Sequence, residues 1–111
     1  MFEKDLNIGY LLDFYGELLS DRKRSVMDMY FNEDLSLAEI ATEIGISRQG
    51  ARDIIKKSKE ELLFYEEKLG LAERFKKVES CASQLGKSAL HYDFPDDIRK
   101  SISELIALVK L

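Results

Sequence analysis

Arg48, Arg52, Lys56, Lys57 and Lys59 stand in the stretch from Ser47 to Lys59 with Asp53 as the one acid among them. Side chains three and four residues apart share a face of a helix, so this spacing lines up positive charge and hydrogen-bonding groups along one side of a rod. The chemistry such a face suits is the reading of duplex DNA. Cationic groups neutralise phosphates, while forked or bifunctional side chains meet base edges in the major groove. Gln49 carries the donor and acceptor that adenine presents partners for, Arg52 carries the fork that matches guanine, and Asp53 can accept from cytosine or orient Arg52. Arg48, Lys56 and Lys57 are spaced for phosphate contacts, joined by Arg22, Lys23 and Arg24 earlier in the chain. The 111 residues sum to a net charge of -4, so DNA binding has to rest on local rather than total charge.

Other chemistries find little to work with. His91 is the only histidine and Cys81 the only cysteine, and the chain has no HExxH, CxxC, phosphate-cradling glycine loop or GxSxG turn. Neighbouring acids such as Glu60 and Glu61, Glu66 and Glu67, or Asp96 and Asp97 diverge by ~100° around a helix and do not face each other. Cys81 reads as a small buried hydrophobe on a helix and His91 as a surface or helix-end residue. The expectation is a protein that is not an enzyme and calls for no metal or cofactor. With 45% hydrophobic and 34% charged residues and one proline, the chain is too apolar for disorder and too finely mixed for membrane insertion. Glu3, Lys4, Asp5 and Asp13 among the first residues do not suit a secretory signal, and a single cysteine forms no internal disulfide. Both point to a cytoplasmic protein.

The elements that must position the basic face begin at Ser36. Ser36 with Glu39 makes a capping box, Gly45 suits the left-handed turn that ends a first helix, and Ser47 caps a second by accepting from the amide of Gln49 or Gly50. Ile44, Ile46, Ala51 and Ile54 wedge the two helices together, with Ala41 at their crossing, and Ala51, Ile54 and Ile55 turn toward the core. This is a helix-turn-helix. Ahead of it, Leu11, Phe14, Tyr15 and Leu18 mark the apolar face of a helix over about Lys4 to Leu19. Ser20 caps another, Asp21 to Phe31, with Val26, Met27, Tyr30 and Phe31 inward. A loop follows over Asn32 to Leu35.

Beyond the turn, Ala51, Ile55, Ser58, Leu62, Tyr65 and Leu69 recur at heptad spacing until Gly70, where a Schellman stop folds Leu71 back toward Tyr65. A second such seam is Leu71, Phe75, Val78, Ala82, Leu85 and Ala89. A third, Ile98, Ile102, Leu105 and Val109, follows Pro95, which suits a helix's first turn. These seams either close the core or pair chains into a homodimer. The expected architecture is all-α, about six helices in a single domain over 1–111, with the helix-turn-helix core within 20–69 and a carboxyl-terminal helical extension over 71–111.

Leu18 to Arg24 together with Ser36 to Arg48 resembles region 4 of bacterial sigma factors. Tyr10-Leu-Leu-Asp-Phe-Tyr15, Ser47-Arg-Gln-Gly50 and Glu60-Glu-Leu-Leu-Phe-Tyr-Glu-Glu-Lys-Leu-Gly70 narrow the likeness to the YlxM-like family of small bacterial helix-turn-helix proteins, over residues 8 to 71. The resemblance implies a sigma-region-4-like DNA-binding fold and a regulator of transcription from a gene neighbourhood shared with the signal recognition particle GTPase. Double-stranded DNA is then the expected partner, and signal recognition particle RNA or protein the alternative. Sequence readers of RNA present aromatics for stacking, and none stands between Ser47 and Leu63, which favours the duplex. Gly50-Ala51 departs from the larger pair usual in sigma-like recognition helices; the glycine costs up to ~1 kcal/mol against alanine, or instead allows close approach to a backbone.

Overall fold

Serine hydroxyls fix where three helices begin. The Ser20 hydroxyl accepts the Lys23 N–H at 3.4 Å, that of Ser36 accepts the Glu39 N–H at 3.1 Å, and that of Ser47 accepts the Gly50 N–H at 2.9 Å. Glu39 returns the bond, its carboxylate accepting the Ser36 N–H at 3.0 Å. The bond from the Ser36 backbone and then that with its side chain hold the Glu39 carboxyl below its ordinary value. In the computed structural model, which describes residues 6–109, these caps open α2 (Asp21–Phe31), α3 (Leu37–Ile44) and α4 (Arg48–Leu69). Before them lie α1 (Leu6–Tyr15) and a 3-10 turn over Gly16–Leu18; after them come α5 (Leu71–Ala89) and α6 (Asp96–Val109). Among the described residues the regular structure is helical throughout.

The chain divides into two compact units, one running to Ala72 and the other beginning at Glu73. In the first, α1, α2 and α3 each pack on α4. Ala51, Ile55, Ser58 and Leu62 of α4 are wholly enclosed, against Ile8, Leu11, Leu12 and Tyr15 of α1, Val26, Met27 and Tyr30 of α2, and Ile40 of α3. Each large aliphatic so buried contributes about 1.5–3 kcal/mol. Ser58 fits this apolar surrounding because its hydroxyl donates to the Ile54 carbonyl at 2.7 Å, leaving no polar atom unpaired. The α4 seam is thus filled by its own unit as far as Leu62, while Tyr65 is half-buried and Leu69 is exposed.

Four local expectations need correction. The 3-10 turn at Gly16 shifts the phase of the chain, so that Leu18 points to solvent and Leu19 enters the core in its place. At Gly70 the single bond from its N–H to the Glu66 carbonyl, 2.8 Å, ends α4 without the longer Schellman bond. Leu71 is exposed instead of folding back, its N–H taken by the Tyr15 hydroxyl at 3.2 Å. Pro95 stands one place before α6, its carbonyl accepting the Arg99 N–H at 3.0 Å. Cys81 is exposed on α5 rather than buried. The expectations that rest on Glu3, Lys4 and Asp5 lie outside the described residues.

Tyr15 joins α1 to the end of α4. Its hydroxyl donates to the Glu66 carboxylate at 2.7 Å, and the same carboxylate oxygen accepts the Ala72 N–H at 3.1 Å. Burial, then the bond to Glu66, pushes the Tyr15 phenol above its ordinary value. Tyr10 adds a bond from its hydroxyl to the Ala72 carbonyl, 3.2 Å. Two of the free N–H groups at the start of α5, those of Leu71 and Ala72, are therefore satisfied by side chains of α1 and α4.

In the second unit α5 and α6 are joined through Leu90–Pro95, where Arg99 reaches back to Asp93 at 2.9 Å. They meet closely at Gly86, where an added Cβ would lie 3.1 Å from the Ile106 side chain. Val78, Ala82 and Leu85 of α5 and Leu105 and Val109 of α6 line an open apolar recess of about 420 Å³, with Arg74 and Lys77 at its rim. No helix among the described residues is long and apolar enough to cross a membrane.

Candidate nucleic-acid interface

The turn between α3 and α4 is built for a sharp reversal. Gly45 adopts φ 80°, a left-handed conformation that costs other residues about 1–2 kcal/mol. Its N–H and that of Ile46 both bond the Ala41 carbonyl, at 2.9 and 3.0 Å, the second being the Schellman bond that Gly70 lacks. Ile46 and Ile44 pack against the core on either side. Ser47 then starts α4, and Gly50 has its explanation here: a Cβ at that position would sit 3.2 Å from the Ser47 hydroxyl oxygen and 3.7 Å from Ile46 Cβ. The close approach is to the side chains of the cap and of Ile46 rather than to a backbone, and the missing side chain leaves them room.

From Arg48 to Lys59 α4 runs about 16 Å. With Ala51, Ile55 and Ser58 enclosed and Ile54 half-buried, the helix turns Arg48, Gln49, Arg52, Asp53, Lys56 and Lys57 to solvent. Gln49, Arg52, Asp53 and Lys56 line one open recess of about 440 Å³ together with Ile55 and Lys59. Lys59, which adds to the charge of this stretch without being an expected binding group, stands in the same recess. Its spacing, three residues after Lys56 and seven after Arg52, was the available signal. Within the recess the Gln49 amide donates to the Asp53 carboxylate at 3.0 Å.

The three cations of α2 are placed differently. Arg22 and Arg24 are exposed, and Lys23 is half-buried. The Lys23 ammonium lies 3.7 Å from Glu61, more than three turns along α4 from Arg48. That Glu61 oxygen is buried without a hydrogen bond, so Lys23 is its charge partner. Burial, then the Glu61 charge, also raises the Tyr65 phenol above its ordinary value. Arg24 borders a separate recess with Asp13, Glu17 and Asp28. The face the structure assembles is therefore that of α4, while Lys23 and Arg24 have acids as neighbours. Among the described residues no group of three or more His, Cys, Asp or Glu side chains could hold a metal ion, and His91 is exposed just past the end of α5.

Residues 2–104 match the family described as "Putative helix-turn-helix protein, YlxM / p13 like". A UPF0122 protein of Clostridium kluyveri is 49% identical over 77 residues, 69% of this chain and 69% of its own length. One from Listeria monocytogenes serotype 4b is 39% identical over 104 residues, 94% of each chain. One from Halalkalibacterium halodurans is 38% identical over 110 residues, 99% of this chain and 94% of its own.

Proposed function

The chain belongs to the YlxM/p13-like helix-turn-helix family, and from that membership and the face of α4 we propose that it is a non-enzymatic regulator of transcription that lays α4 in the major groove of duplex DNA. The observation that carries this reading is the single exposed face bearing Arg48, Gln49, Arg52, Asp53, Lys56 and Lys57, set on a helix whose opposite side is locked into a core. A rigid helix of this length fits the major groove, which is about 12 Å wide. Gln49 and Arg52 are the base readers; Arg48, Lys56 and Lys57 hold phosphates, with Arg22 and Arg24 as outlying contacts.

One short helix reads too few bases for useful specificity, so a second half-site is needed, and a symmetric dimer supplies it. The apolar recess of α5 and α6 is the surface we assign to self-association, because Val78, Leu85 and Leu105 are large hydrophobics left exposed there. Arg52→Ala should cost about 1–3 kcal/mol of binding and flatten preference at one base position, whereas Lys57→Ala should weaken all duplexes alike and lower the salt slope by about one. Equal losses on specific and random duplexes for both variants would remove base readout by Arg52. Tight binding of signal recognition particle RNA at the same salt, with no preference among duplexes, would replace this reading with an accessory role on that particle.

A further inference from the structure

We propose that Asp53 is a positioning residue that makes Gln49 a reader of adenine and turns it against guanine; this rests on the reading of α4 as the DNA-reading helix. The two residues are one turn apart, both exposed and both in the recess that Arg52 and Lys56 line. One Gln49 N–H is spent on the Asp53 carboxylate at 3.0 Å. A carboxylate only accepts, so it repels the amide oxygen and fixes which way the amide points. What Gln49 then offers outward is its oxygen and its one remaining N–H.

Adenine presents an N6 donor and an N7 acceptor in the major groove, which that pair satisfies together. Guanine presents two acceptors, O6 and N7, and would need both N–H groups of the amide. The bond to Asp53 removes one of them. A glutamine without this partner is free to flip and to share both hydrogens, so the discrimination belongs to the pair. Asp53 has a second effect by its charge, since an acid on a phosphate-facing helix weakens binding to any sequence.

Orientation is read from the adenine-to-guanine ratio and charge from binding to random duplex. Asp53→Glu keeps an acceptor-only carboxylate and its charge; Asp53→Asn removes the charge and, because its amide donates as well as accepts, also frees Gln49 to flip; Asp53→Ala removes partner and charge together. The probe is a set of duplexes carrying each base pair at the position where Gln49→Ala flattens the wild-type preference, measured with the full chain at ~150 mM salt. Wild type should favour adenine over guanine there by about 5- to 100-fold. Asp53→Ala should bring that ratio close to that of Gln49→Ala, with no further loss in the double variant. Asp53→Glu should retain the wild-type ratio and Asp53→Asn should lower it, while the Asn and Ala variants bind random duplex more tightly than wild type. Thermal melting checks that each variant is folded. Asp53→Ala with the wild-type ratio, or a change confined to a base position that Gln49 does not touch, would overturn the inference while leaving α4 as the reader. A wild-type chain for which Gln49→Ala flattens no position would overturn the reading of Gln49 and the inference with it.

Discussion

Ala51, Ile55, Ser58 and Leu62 on α4 and Val78, Leu85 and Leu105 on α5 and α6 recur at the same heptad intervals, yet the first four have no exposed surface and the last three are 43%, 39% and 52% exposed. The difference lies in the company each helix keeps. Three other helices pack on α4 within its unit, enough to close over a stripe on one side and leave the other for a ligand. In the second unit α5 and α6 have one another; they cover Ala82 and Val109, but two helices leave Val78, Leu85 and Leu105 along the same stripe open to water. Heptad spacing therefore reports that a helix is amphipathic. What it packs on is decided by how many neighbours the topology supplies.

That contrast can be broken by one pair of substitutions. Leu62→Glu places a charge at a site with no accessible surface and should unfold the first unit, at a cost on the order of 4 kcal/mol or more. It tests the core, since Leu62 has no surface with which to pair chains. A thermal melt close to wild type for Leu62→Glu would mean that this seam is not enclosed. Gly45→Val comes next. Nothing lies within 4 Å of its added Cβ, so its penalty is backbone strain alone, about 1–2 kcal/mol, seen as a lower melting temperature without DNA.

Ser36→Ala should cost about 1 kcal/mol by removing the α3 cap. Its pH dependence adds a check, because Glu39 is held below its ordinary value first by the bond from the Ser36 backbone, which the substitution keeps, and then by that with the Ser36 side chain, which it removes. A group depressed in this way contributes stability above its unfolded value and loses it as pH falls through its folded one. The gap between Ser36→Ala and wild type should accordingly narrow on acidification, as read from melts at a series of pH values. Leu105→Glu is the smallest in stability, within about 0.5 kcal/mol for the monomer since the site is half exposed. Its effect should fall on association, with sedimentation shifting toward a 12.8 kDa monomer. A wild-type chain that already sediments as that monomer would remove self-association from the account.

How far the sequence could be read follows from the range of the forces involved. Caps act over three residues, so the starts of α2, α3 and α4 and the turn at Gly45 are legible from Ser20, Ser36, Ser47 and Gly45 themselves. Phase is more fragile: one 3-10 turn after Tyr15 exchanges Leu18 for Leu19 in the core, and no residue short of Gly16 warns of it. Contacts between distant residues are not legible at all. The Tyr15 bond to Glu66 spans 51 positions, and the Lys23 pairing with Glu61 is likewise set by the packing of α2 on α4. In the candidate site the exposed face of α4 follows from helical period, but which groups on it touch does not. The bond between Gln49 and Asp53 follows from spacing, since glutamine and aspartate four apart on a helix pair favourably.

The most direct test of the central claim, that the outward face of α4 reads duplex DNA, is selection of bound fragments from genomic DNA by the full chain at ~150 mM salt, where a merely basic helix gains little. One enriched sequence is expected, with two half-sites about one helical turn apart and an affinity at least roughly 1,000-fold above random duplex. Recovery of unrelated fragments with equal affinity at that salt would contradict it.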